Sequence, residues 1–128
     1  MFFAILFVGS SVAQTASDLY ADADKVEKIA ADWRNQDRQL WQTCVFEQHD
    51  IECYKTKMAA VDATMRAKIE PVLAQVRPRT HTAIQALPTK KRTAVDSKVT
   101  IDKTPLTQVE AFRLVRYLRD LAQRKSAP

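Results

Sequence analysis

The only two cysteines of the chain, Cys44 and Cys53, stand where one amphipathic pattern ends and another begins, and this arrangement constrains the fold more than any other feature. Before them, Leu19, Val26, Ile29, Ala30, Trp33, Leu40, Trp41 and Cys44 recur at the three-and-four spacing that places one apolar stripe on a helix. After them, Tyr54, Met58, Val61, Met65, Ile69, Val72 and Val76 repeat the pattern. The stretch Trp41 to Cys53 is then the turn of a helical hairpin.

Packing geometry provides a check on that reading. Both helices rise about 1.5 Å per residue, so facing residues of an antiparallel pair have position numbers with a constant total. Trp33 with Met65, Ile29 with Ile69 and Val26 with Val72 share one total, and Cys44 with Cys53 differs from it by a single position. The apolar pattern and a Cys44–Cys53 disulfide thus predict the same register, with Asp37 opposite Val61 as one polar break. Two reduced thiols are the alternative, but the C-x8-C spacing suits neither a C-x-x-C redox motif nor a zinc site.

The sole glycine, Gly9, precedes all of this, which leaves no glycine-rich phosphate loop and no tight type I′ strand hairpin beyond it. The expected fold class is all-α: a long antiparallel helical hairpin with a third amphipathic C-terminal helix and one disulfide at the hairpin turn. Residues 1–13, an apolar run ending in small residues, match the pattern of a secretory signal peptide cleaved after Ala13; an uncleaved N-terminal helix is the other reading. The run lacks the basic residues that usually precede such a signal, and it is too short to span a bilayer, which needs about twenty apolar residues.

The rest, 14–128, is of a size for a single helical domain. The hairpin is expected over 17–77, with Ser17 and Asp50 as N-caps and acidic Asp18, Asp22 and Asp24 near the first helix start. Pro71 should kink or divide the second helix and Pro78 end it. Residues 78–104 read as an irregular connector in which Thr80 to Leu87 can make two helical turns, and Val95, Val99 and Ile101 cover the hairpin. The C-terminal helix is expected over 105–124, starting at Thr104-Pro105 or at Thr107 with Glu110 in a capping box. It gathers Ala111, Leu114, Val115, Leu118, Leu121 and Ala122 on one face and Arg113, Arg116, Arg119 and Arg124 on the other.

Charge divides along the chain. Residues 14–76 carry 8 Lys and Arg against 11 Asp and Glu, whereas residues 77–128 carry 12 against 4. A basic half favours an anionic partner, although solubility alone also accounts for it. Catalysis finds no support: His49 and His81 are the only histidines, and no nucleophile or motif frames either. Glu47, Asp50 and Glu52 near His49 make only a weak metal contact thinkable, so no catalytic residue, metal or cofactor is expected.

Trp33 and Trp41, and Met58 and Met65, read as core. The C-terminal helix carries the sharper functional hint. Val109 and Phe112 project from its basic face, rimmed by Arg113, Arg116 and Arg119, and aromatic and Arg residues are favoured at interface hot spots. Two readings are open here, a partner-binding patch or a surface that residues 89–103 fold over. The function expected is that of an exported helical interaction protein, periplasmic or secreted: an adaptor, inhibitor or accessory subunit of an envelope assembly with a protein partner. The alternative is binding of an anionic surface, acidic lipid or polysaccharide such as lipopolysaccharide, through the basic half. Export makes a nucleic-acid partner unlikely, and the arginines are not interleaved with a stacking platform.

Overall fold

A computed structural model describes residues 11–88 and 101–126, with the side chains of 16–88 and 101–124. Helix α1 spans Ser11–Leu40 and continues as a π-helical segment, Trp41–Glu47. The chain reverses over Gln48, His49 and Asp50 into α2, Ile51–Ala86, and α3 spans Gln108–Ser126. No strand occurs among the described residues, and the architecture is the all-α hairpin with a C-terminal helix. Residues 1–10 of the expected signal, and Val95 and Val99, lie outside the described residues.

The turn is built from the groups its sequence offers. Cys44 and Cys53 form a disulfide, S–S 2.13 Å with Cα atoms 5.5 Å apart. Asp50 caps α2, its carboxylate accepting from the Cys53 amide at 3.0 Å. The Asp50 amide in turn donates to the Cys44 carbonyl at 2.8 Å, closing the end of the π segment. No glycine is present to turn the chain, and His49 takes the left-handed conformation instead, φ 55°. That conformation brings Cβ against the following carbonyl at a cost of about 1–2 kcal/mol. Replacing His49 by Gly removes the clash and adds about 0.5–1 kcal/mol of unfolded-state entropy. A net gain of up to about 1 kcal/mol is expected in urea denaturation, and a loss of stability would refute this account of the turn.

The seam between α1 and α2 buries Val26, Trp33, Met65 and Ile69 completely. Ile29 and Val72 lie at its edge, half-buried against the core, because Leu73 takes the central position beside Val72. Trp33 donates through Nε1 to Asp62 Oδ1 at 2.8 Å. The polar break at Asp37 is closed by the Tyr54 hydroxyl at 2.5 Å and by the Gln108 amide, so Asp37 meets a residue two turns nearer the tip than Val61.

The irregular connector predicted from Pro78 onward is corrected by the structure, in which α2 runs unbroken through Pro71 and Pro78 to Ala86. A proline inside a helix removes one hydrogen bond and crowds the carbonyl four residues earlier, at about 3 kcal/mol or more. Both prolines, and Ala67 and Ala74 four residues before them, face solvent, where water can take the freed carbonyls. On the opposite face Leu73, Val76, Thr80, Ala83 and Leu87 continue one buried line, and Thr80 satisfies its hydroxyl on the Val76 carbonyl at 3.0 Å. Arginines flank Pro78 as tethers. Arg77 reaches Glu70, Thr104 and the Ile101 carbonyl, while Arg79 clasps Asp22 with two hydrogen bonds, 2.5 and 3.0 Å. Asp22 is almost wholly buried, and this ion pair crosses from α2 to α1.

The C-terminal helix begins at the second of its two possible starts. The Glu110 amide donates to Thr107 Oγ1 at 3.3 Å, and the Glu110 carboxylate accepts from the Leu106 amide at 2.8 Å. It buries Ala111, Leu114, Val115, Leu118, Leu121 and Ala122, the face expected, with Tyr117 added. It packs mainly along α1 and only slightly on α2, so α1 is the central element. Gln108 meets Asp37, Phe112 lies under Arg34, and Arg119 meets Glu27, a progression that runs antiparallel to α1.

Candidate interaction surface

The five residues expected to face a partner end in different situations. Val109 stands out into solvent at 59% exposure. Phe112 is half-buried and packed against the core, and the Arg34 guanidinium lies over its ring at 4.8 Å. Arg113 and Arg116 are exposed and enter no ion pair or hydrogen bond among the described residues. Arg119 is corrected from that group: it clamps α1, meeting Glu27 at 2.8 and 2.9 Å and Asp24 at 3.0 Å. Its hydrogen bond holds the Glu27 carboxyl below its usual range, against a smaller opposing effect of burial, and Glu27 and Asp24 raise the guanidinium in turn.

Trp41, expected in the core, is corrected by the structure, which places it outside with the turn residues Phe46 and Ile51. Trp41 is 48% exposed, Phe46 68% and Ile51 44%. Two physical reasons act together for Trp41. The π segment winds a wider turn, so an α-helical stripe drawn through Leu40 no longer predicts which way later side chains point. In addition, α3 begins opposite Asp37, one turn short of Trp41, and cannot cover it. The indole instead packs edge-on against Tyr54, ring centroids 5.2 Å apart at 86°.

Trp41 and Tyr54 border an open depression of about 520 Å³ with Asp37, Arg38 and Gln42. Asp37 links this depression to α3, since it holds both Tyr54 and Gln108, the neighbour of Val109. An exposed aromatic–cationic strip therefore extends from Trp41 and Arg38 to Val109 and the Arg34–Phe112 stack. Arg34 and Arg38 of α1 and Trp41 of the π segment carry no sequence motif; only the packing of α3 brings them beside Val109 and Phe112.

Burial, aided by the hydrogen bond to the Asp37 carboxylate, pushes the Tyr54 hydroxyl up to about 12. Because the folded value lies above the ordinary 10.0, Tyr54 contributes stability that is complete below 10 and is lost as pH climbs towards 12. A tyrosinate absorbance titration should show a late step near 12 that Tyr54→Phe removes, while the step of Tyr117, which burial also raises, remains. Ionisation of all tyrosines in a single earlier step would contradict this geometry.

Elsewhere the titratable groups are tied into the scaffold. Arg77, followed by Thr104, lowers the Glu70 carboxyl, and His81 pairs with Asp102 at 2.7 Å on an exposed surface. Among the described residues no group of three or more His, Cys, Asp or Glu side chains converges to hold a metal ion, and no helix is long and apolar enough to cross a membrane. The chain matches no family model, no curated protein and no solved structure.

Proposed function

We propose that this chain is an exported, non-catalytic helical protein that binds another protein in the envelope or outside the cell, through the strip formed by α1 and α3. The observation that carries the reading is the pairing of exposed Val109 and half-buried Phe112 with the unpaired Arg113 and Arg116. Arginine and aromatic groups of this kind dominate binding energy at protein interfaces, while lone exposed apolar residues do not. The apolar run at residues 1–13 and the Cys44–Cys53 disulfide support export, because disulfides persist in oxidising compartments. Its role there is that of an adaptor, inhibitor or accessory subunit.

The test is photo-cross-linking in the cells that make the protein. A photoreactive amino acid at Val109 should yield a discrete protein adduct in the exported fraction, whereas the same group at exposed Ala59 on α2 should not. Retention of the full chain in the cytosol, or no protein adduct from Val109, would overturn the reading.

A further inference from the structure

We infer that the α1–α3 strip is a docking surface for an acidic segment of a protein, whose carboxylates meet Arg34, Arg38, Arg113 and Arg116 and whose apolar side chains cover Trp41 and Val109. This deepens the protein-binding reading and rests on it.

Of the arginines described on α3, Arg119 is matched by Glu27 and Asp24, and Arg124 by Asp120. Arg113, Arg116 and, on α1, Arg38 enter no ion pair among the described residues; Arg34 forms none either but lies close enough to Glu27 to help lower that carboxyl, which Arg119 already holds. Helical spacing sets these four along one strip: Arg34 lies over Phe112, Arg38 is one turn from Arg34, Arg116 is one turn from Phe112, and Arg113 is one turn from Arg116 and from Val109. Asp37, a carboxylate beside the strip, is already held by Tyr54 and Gln108. The strip thus carries more cationic than free anionic groups, whereas Arg119 and Arg124 on the same helix are paired.

The Arg34 guanidinium adds geometry to charge. Its Nε is buried with no hydrogen-bond partner, and its guanidinium carbon lies over the Phe112 ring, 4.8 Å from the centroid. The ring contact restrains the guanidinium before any ligand arrives, and a planar fork suits a bidentate carboxylate. Beside it, the open depression at Trp41, Tyr54 and Arg38 supplies an apolar wall next to a cation. A segment that mixes acidic and apolar side chains matches both features.

A bilayer matches them less well. The most exposed apolar residue, Phe46, and Ile51 are at the hairpin tip, where Glu47, Asp50 and Glu52 oppose an anionic surface, while the free arginines lie back along the seam. A lipid surface needs its apolar anchor and its cations together.

The probe is a fluorescent peptide with leucines interspersed among glutamates, titrated by anisotropy against the oxidised protein. Saturable binding that weakens with salt is expected, and replacing the peptide's glutamates by glutamine should abolish it. Arg113→Ser with Arg116→Ser should weaken binding about tenfold or more, the effect of losing about 1.4 kcal/mol. Both positions are exposed, so the variant keeps its fold, which circular dichroism checks. Arg34→Lys keeps the charge but not the fork and should also weaken binding, while Lys55→Ser with Lys57→Ser on α2 should leave it unchanged. The inference is overturned if the peptide does not bind, if the arginine variants bind like the parent, or if phosphatidylglycerol vesicles or single-stranded DNA displace the peptide from the strip. Loss of peptide binding with a Val109 protein adduct still formed would remove the acidic-segment inference and leave the broader reading standing; absence of any protein adduct would remove both.

Discussion

Replacing Trp33 by Ala should destabilise the protein by roughly 3–5 kcal/mol, the usual cost of emptying a buried aromatic site. The residue is completely buried where α1 faces α2, among Ala30, Met65 and Ile69, which share one core cluster with the inward face of α3. Truncation therefore opens a cavity that rigid helices close only in part. It also removes the donor to Asp62 Oδ1, although Asp62 is half-buried and can recover water. Trp33→Phe separates the two contributions. It keeps most of the volume, loses the N–H, and should cost about 1–2 kcal/mol. Against a total stability of roughly 5–15 kcal/mol for a domain of this kind, the alanine variant should show a large fall in urea midpoint. A loss under about 1 kcal/mol would mean that Trp33 is not the keystone of the seam.

Reducing the Cys44–Cys53 disulfide should cost roughly 2.5–3 kcal/mol, because the bridge closes a loop of about ten residues and withdraws that freedom from the unfolded chain. The effect should be local. Within the tip Cys44 is buried, Val45 is half-buried, and Phe46 and Ile51 are exposed, so little apolar packing remains once the bridge opens. The next restraints inward are Asp37 with Tyr54 and Trp33 with Asp62. Amide exchange should therefore accelerate across residues 40–57 and stay slow along Leu19 to Ala30 and Leu114 to Ala122, where α1 and α3 bury each other. Replacing Cys44 by Ala and Cys53 by Ser should reproduce the pattern without a reductant. Uniform acceleration over all three helices would show that the bridge supports the whole fold, and no change would show that the tip holds itself.

Both expected results rest on features that the amino-acid sequence carries locally. The periodicity around Trp33 and Met65, the two cysteines at the reversal, Asp50 as a cap and Thr107 with Glu110 as a helix start are local signals. Each depends on residues a few positions apart, where helical geometry alone dictates who meets whom. The all-α class followed from the same local regularity and from a chain without glycine after position 9.

The misjudged positions share a different dependence. Pro78 ends helices by its own chemistry, yet α2 continues because Pro78 faces water while Val76 and Thr80 are buried behind it and Arg79 reaches Asp22, 57 positions away. Trp41 has the composition of a core residue and is exposed because α3 stops one turn short of it and a π turn rotates it. Arg119 belongs to the same basic face as Arg113 and Arg116, but of these three only Arg119 meets Glu27, 92 positions distant.

Periodicity assigns a residue to a face of its own helix; it says nothing of what another helix brings to that face. Three helices, the hairpin, its bridge and the caps Asp50 and Thr107 were readable from residues a few positions apart, whereas Ser17, expected to cap α1, lies inside that helix. Tertiary packing made α1 central, chose which arginines are neutralised, and joined Arg34 and Trp41 to Phe112 and Val109 on one surface. Those outcomes depend on the rotation and offset of α3 against α1, quantities set by packing across nearly the whole chain.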